Sequence, residues 1–319
     1  MIPKDKVNHY VGEVMRRWEK LHETSNTFAY QLNVQDSKYL EGSNCIYSEL
    51  NPERTTLRRA PQVIQSLNPV FEENKFNFKK IPQQELLMIL PYDTIEVSII
   101  INKSPLTLYH SLICPDVQNG LAQRVTLDTL RFCRDFLLSL EDNRGFRIGY
   151  NSPGALASVN HLHMHLISIE KDLYIDNAEL DTLCEGDVYR LNSSMPTRAV
   201  CWIFNQMDSV TQMENKTRKL YEFLEWLCTE NTPHNIFMTP DRVKSQKRLK
   251  IFVYPRENFC VVKDFKAFNI GFCEMSGYIP VGDKQLFDQL TETQVFKRID
   301  EEIGLIFPKI LNYFESGRP

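Results

Sequence analysis

The chain has 319 residues, 42% of them hydrophobic and 11% aromatic, which is enough for two domain-sized units or one double-sized one. A net charge of −4 and a pI near 6.0 exclude a general nucleic-acid or membrane-surface binder, and no apolar run approaches the ~20 residues that span a bilayer. The start, Met1 to Lys6, lacks the apolar core of a signal peptide, and eight cysteines without short repeated spacing predict buried reduced thiols in a cytosolic protein.

Residues 11–23 carry Val14, Trp18 and Leu21 at helical spacing; the rest of the first sixty residues reads as irregular. Arg54, Arg58, Arg59 and Pro61-Gln62 form a basic segment before the first well-defined strands. Residues 85–90 and the β-branched run 95–101 predict strands, with 106–114 as a third. Residues 126–140 predict a helix whose stripe is Leu127, Leu130, Cys133, Phe136-Leu137 and Leu140, with Asp128, Arg131 and Arg134 facing out. A strand at 146–150 follows, then Ser152-Pro153-Gly154-Ala155, which has the Pro-Gly centre of a type II turn. From about Asp187 the pattern restarts: strands at 200–204, 235–239 and 249–254, a helix at 214–229, and a mostly helical stretch at 292–313. Strands around one long helix in each half predict an antiparallel α+β architecture, with domains at 1–190 and 191–319.

The densest chemistry lies in Ala157 to Ile167, where His161, His163 and His165 recur at two-residue spacing. On a strand these imidazoles share one face, while Leu162, Met164 and Leu166 line the other and can be buried. An imidazole titrates near neutrality and can serve as nucleophile, base or ligand, so three in register predict a working site. A metal site is the second reading. It lacks an acidic residue on the strand before Glu170, and neither HExxH nor CxxC occurs in the chain.

The triplet, with Asn151 and Ser158 before it and Asn102-Lys103-Ser104-Pro105…His110 upstream, resembles the histidine-triad superfamily, whose galactose-1-phosphate uridylyltransferase branch has two units. More closely, residues 54–290 resemble the GDP-hexose phosphorylases, the animal GDP-glucose branch more than the plant GDP-galactose branch. This likeness is carried by Arg58-Arg59-Ala60-Pro61-Gln62, Phe76-Asn77-Phe78-Lys79-Lys80-Ile81, the histidine segment, His234-Asn235-Ile236-Phe237 and Ala267-Phe268-Asn269 to Gly277.

The resemblance implies two histidine-triad-like units, only the first keeping the histidine strand. It also implies phosphorolysis of GDP-glucose to glucose 1-phosphate and GDP through a guanylyl adduct on His163, with no cofactor. His161 and His165 would orient the nucleophile and assist the leaving group, and Ser158 would donate to a phosphate oxygen. Asn151 would set the strand's approach, Phe78 and Ile81 would sandwich the base, Asn102 would meet the ribose, and His110 would back the cluster. Arg58 and Arg59 would hold the incoming phosphate. Asn102 stands where the small hydrolases carry an acid, and Leu166-Ile167-Ser168 departs from the expected small and aromatic residues. The implied partners are a GDP-hexose and inorganic phosphate, not nucleic acid or membrane. Two alternatives stay open: a hydrolase in which water resolves the adduct and releases GMP, and a nucleotide-binding scaffold without turnover. The sequence leaves the oligomeric state unspecified.

Overall fold

The computed structural model describes residues 4–24, 26–56, 61–141, 145–185, 188–241, 247–260 and 268–316. Arg58 and Arg59 lie outside these residues. Helix α1 (Lys4–Thr24) precedes strands β1 (Asp36–Tyr39) and β2 (Tyr47–Leu50) and the single turn α2 (Glu53–Thr56), so the first sixty residues hold more order than their sequence predicts. The first unit follows as β3 (Leu86–Tyr92), β4 (Ile95–Ile101), β5 (Ser111–Pro115), α3 (Leu127–Ser139), β6 (Phe146–Asn151) and β7 (Met164–Ser168). The second repeats it as β8 (Leu180–Cys184), β9 (Val188–Leu191), β10 (Val200–Asn205), α4 (Val210–Thr229), β11 (His234–Asp241) and β12 (Arg248–Pro255). The chain ends with α5 (Phe272–Met275), β13 (Tyr278–Val281), α6 (Lys284–Gln289), α7 (Glu292–Ile303) and α8 (Phe307–Glu315). The mostly helical stretch expected at 292–313 is α7 and α8, parted where Gly304 takes a φ of +57°.

Ten strands form one antiparallel sheet in the order β3-β4-β5-β7-β6-β11-β12-β10-β9-β8. Read inward from either edge, the plan is the same: three strands in chain order, then the last strand of the unit, then the one before it. The units meet where β6 pairs β11, with Gly149 opposite Phe237. Strands β8 and β9 begin the second unit, so the repeat starts before residue 190.

Strand periodicity sorts the side chains between two faces. One face packs under α1, α3, α4 and α8 through Trp18, Leu130, Phe136, Leu220, Phe223 and Ile310, and it receives Leu162, Met164 and Leu166. Each such fully buried large apolar side chain contributes roughly 1.5–3 kcal/mol. The other face carries Ile167, Phe237, Phe252 and Tyr254 against Phe272, Ile279 and Val295. Helix α3 starts where Thr126 caps the Thr129 N–H. Arg134, predicted outside, is buried between helices, paired with Asp135 and donating to the Met213 carbonyl at 3.2 Å. Among the described residues no helix is long and apolar enough to cross a membrane.

Candidate active site

The histidine segment becomes a strand later than its spacing predicts. Ladder pairing begins at Met164, opposite Ile113 of β5. Before that, side chains and a loop carbonyl take the hydrogen bonds a neighbouring strand would make: Asn160 N–H donates to Gln62 Oε1 (2.8 Å), Leu162 N–H to the Leu121 carbonyl (2.8 Å) and His163 N–H to Gln123 Oε1 (3.0 Å). Gln123 also donates to the His163 carbonyl (3.3 Å) and the Asn151 carbonyl (3.1 Å), clamping the segment beside β6. The predicted turn forms: Ala155 N–H reaches the Ser152 carbonyl (3.0 Å), and Gly154 takes the φ of +72° that its third position requires.

The three imidazoles therefore do not form one exposed row. His163 Nδ1 lies 2.8 Å from the His161 carbonyl, which can only accept, so the proton sits on Nδ1 and the lone pair on Nε2. His161 turns away: its Nδ1 accepts from Phe78 N–H at 3.0 Å, and its ring stacks under Phe78 at 5.3 Å. Burial, with the Lys79 charge, pushes His161 down to about 4, and its Nε2 has no hydrogen-bond partner among the described residues. The orienting group from this residue is its carbonyl, and its ring is a fully buried support.

His165 faces His163 edge-on at 5.1 Å, and its Nδ1 lies 3.0 Å from His110 Nε2. His110 Nδ1 accepts the Leu106 N–H at 2.9 Å, which leaves its proton on Nε2 to be donated to His165. The amide nitrogen of Asn102 sits 3.0 Å from that same Nε2, while its oxygen accepts from Ser104 N–H. Burial, then the charges of Arg54 and His163, push His110 down to about 3, so it stays neutral. Trp18 of α1 donates to the His110 carbonyl at 3.2 Å.

His110, His163 and His165 line a cavity of about 680 Å³, within the usual range for small-molecule sites. Its apolar lining includes Phe76, Phe78, Ile81, Ile100, Leu112 and Val159; Phe78 opens a short 3-10 turn and Ile81 ends it. Its polar lining includes His110, His163, His165, Ser158, Asn102, Asn151 and Arg54. His161 is not among the lining residues, and neither are Lys79 and Lys80. Lys79 pairs with Glu73, and Lys80 Nζ donates to main-chain carbonyls of its own loop.

The second half closes the cavity with Asn269 and Gly271 to Glu274. Asn151 Oδ1 holds that wall in place, accepting from Phe272 N–H (3.1 Å) and Asn235 Nδ2 (2.7 Å). The Phe272 ring rests 5.0 Å from His165. Sequence reasoning missed Gln123, Asn235, Phe272 and the cavity position of Arg54. Arg54 left a signal as part of the basic segment, and Asn235 and Phe272 lie within segments that carry the family likeness, whereas Gln123 left none. Among the described residues no group of three His, Cys, Asp or Glu side chains is arranged to hold a metal ion.

Fold and site together define a two-unit histidine-triad-like protein whose three clustered histidines His110, His163 and His165 belong to the first unit. The solved structure of yeast Ap4A phosphorylase Apa2 in complex with Ap4A shares this fold at a TM-score of 0.64 and 16% identity, over 96% of this chain and 99% of that one. Residues 12–167 match the GDPGP1-like N-terminal domain and residues 189–304 the GDPGP1-like C-terminal domain, and the chain belongs to that family. GDP-D-glucose phosphorylase 1 of Macaca fascicularis is 32% identical over 86% of this chain and 74% of its own length. GDP-L-galactose phosphorylase 2 of Arabidopsis thaliana is 31% identical over 90% of this chain and 71% of its own length.

Proposed function

We propose that this chain is a GDP-hexose phosphorylase, converting GDP-glucose and phosphate to glucose 1-phosphate and GDP. The observation that carries this reading is the His161 carbonyl on His163 Nδ1, which leaves Nε2 as the lone-pair nitrogen of a cavity-lining ring. The family and its curated relatives supply the substrate class. In the first half-reaction Nε2 attacks the α-phosphorus, and the bond to the bridging oxygen breaks with its electron pair leaving on glucose 1-phosphate. In the second, a phosphate oxygen attacks the adduct, the N–P bond returns its pair to Nε2, and GDP departs. Splitting the transfer in two lowers each barrier.

The base lies in the apolar wall of Phe78 and Ile81. Asn102 meets the ribose, Ser158 donates to a phosphate oxygen, and His165, backed by His110, faces the leaving group. Asn151 keeps the second half seated over the site, and the His161 ring supports Phe78. The first unit, which ends at β7, carries the chemistry. The second unit, from β8 on, is its companion: the members of β12 that share the face of His163 and His165 are Arg248, Lys250, Phe252 and Tyr254, Arg248 being paired with Asp241 and the two aromatics committed to core packing. The eight free cysteines suit a cytosolic protein.

The test is to incubate the protein with GDP-glucose, with and without phosphate, and identify the products. GDP and glucose 1-phosphate formed only with phosphate support the reading. Steady GMP release indifferent to phosphate makes the protein a hydrolase.

A further inference from the structure

The cavity is lined by two cations among the described residues, Arg54 and Lys103. Lys103 is engaged, its Nζ 3.0 Å from Glu85. Arg54 has a donor to spare: its Nη1 is buried and has no hydrogen-bond partner among the described residues. Its main chain is anchored by the Asn51 carbonyl at 3.3 Å. It lines the same cavity as His110 of the histidine cluster and Cys273 of α5. A buried guanidinium donor without an acceptor costs free energy that an anionic oxygen recovers on binding.

We propose that Arg54 holds the phosphoryl group exchanged in this reaction: the β-phosphate of GDP-glucose in the first half-reaction and inorganic phosphate in the second. The assignment rests on the phosphorolysis reading and adds a residue to it. In-line displacement makes one subsite serve both halves. The departing glucose 1-phosphate oxygen and the attacking phosphate oxygen each lie opposite Nε2 across the α-phosphorus, so one oxyanion takes the place the other vacates. As phosphate attacks, a P–O bond forms, the N–P bond breaks toward Nε2, and the proton of monohydrogen phosphate goes to solvent as the GDP β-phosphate ionises. A guanidinium fork suits this exchange because it binds two oxygens of either phosphoryl group and keeps its charge throughout. Holding phosphate there also disfavours water as acceptor.

The experiment uses the full chain and the Arg54→Gln and Arg54→Lys variants. Melting midpoints are compared in phosphate and in chloride at equal ionic strength, and GDP-glucose turnover is followed against phosphate concentration with GDP and GMP separated. Phosphate is expected to raise the midpoint of the wild type but not of Arg54→Gln. Arg54→Gln is expected to melt no lower than wild type in chloride, because it loses an unpartnered buried donor. Its KM for phosphate should rise on the order of 30-fold, the loss of a charge-assisted pair, with a larger share of adduct lost as GMP and Arg54→Lys in between. Phosphate stabilising both proteins equally, or stabilising neither, overturns the assignment, as does an unchanged KM for phosphate. A wild type that makes only GMP defeats the phosphorolysis reading alone, and the melting comparison then decides whether Arg54 holds an oxyanion.

Discussion

A carbonyl oxygen has no proton to give, so the 2.8 Å contact from His161 O fixes the tautomer of His163 without help from a carboxylate. The two-residue spacing made His163 legible in the sequence, because it sets alternate side chains toward one face. It could not show that the first imidazole would turn under Phe78 and leave its carbonyl to do the orienting. On the proposed covalent route His163→Ala and His163→Asn should each lose at least about 10³-fold in turnover, since neither side chain offers a nucleophilic nitrogen lone pair. The measurement is initial rate beside a melting curve, with the variants expected to stay folded. His163→Asn keeping more than a small fraction of wild-type rate rules out the adduct. Gln123 was invisible in the sequence because a lone glutamine before a helix carries no signal, yet it grips both the N–H and the carbonyl of His163. Gln123→Ala should lower turnover about 10- to 100-fold by letting the ring move, a displacement cost, with the protein less stable by roughly 1–3 kcal/mol for the orphaned main-chain groups. Paired kinetics and denaturant titration check both.

Helix α5 shows how an element too short to be read from sequence can finish a site. Its four residues carry no period, and its position depends on two distant choices. Asn151 at the end of β6 accepts the Phe272 N–H, and Gly149 on the same strand leaves room for the ring: a Cβ at Gly149 would stand 2.0 Å from Phe272 Cδ2. The long amphipathic helices were legible because their stripes repeat over several turns. Strand ends were not, because β5 and β7 begin only where a neighbour supplies a ladder, at Ser111 and Met164. Gly149→Ala is expected to cost about 1–3 kcal/mol by overpacking and to lower turnover by moving Phe272 off His165. Adding Phe272→Ala should recover part of the stability and none of the activity. Denaturant titrations of the two singles and the double measure the coupling, and strictly additive losses would show that the glycine is not there for the ring.

At the scale of the molecule, the restart of the strand and helix pattern in the second half was readable, and the structure turns it into one continuous sheet with the units joined at β6 and β11. What no sequence period could reveal is that the second unit lends its tail, residues 269–274, to the cavity of the first. The fold also buries neutral histidines: burial pushes His110 to about 3 and His234 to about 4, and His161 is lowered as well. Unfolding returns each toward 6.5, so the unfolded state binds more protons between about pH 4 and 6.5. Stability is therefore full above pH 6.5 and falls as the pH drops through that window, by up to roughly 1.4 kcal/mol per unit for each such histidine. Denaturant midpoints from pH 7.5 to 4.5 test the slope, and His234→Gln, away from the cavity, should flatten it. The same enclosure governs the reaction. If the guanylyl group waits on His163 behind the second unit's wall, the first half-reaction is complete and reversible by itself, and substrate and phosphate bind in turn. Initial rates should then give parallel lines in double-reciprocal plots, the ping-pong pattern. Labelled glucose 1-phosphate should enter GDP-glucose with no phosphate present, because it can reclaim the guanylyl group before phosphate arrives. Exchange that appears only when phosphate is added would mean that both substrates must be bound at once, and His163 would then act as a base or donor in a direct transfer.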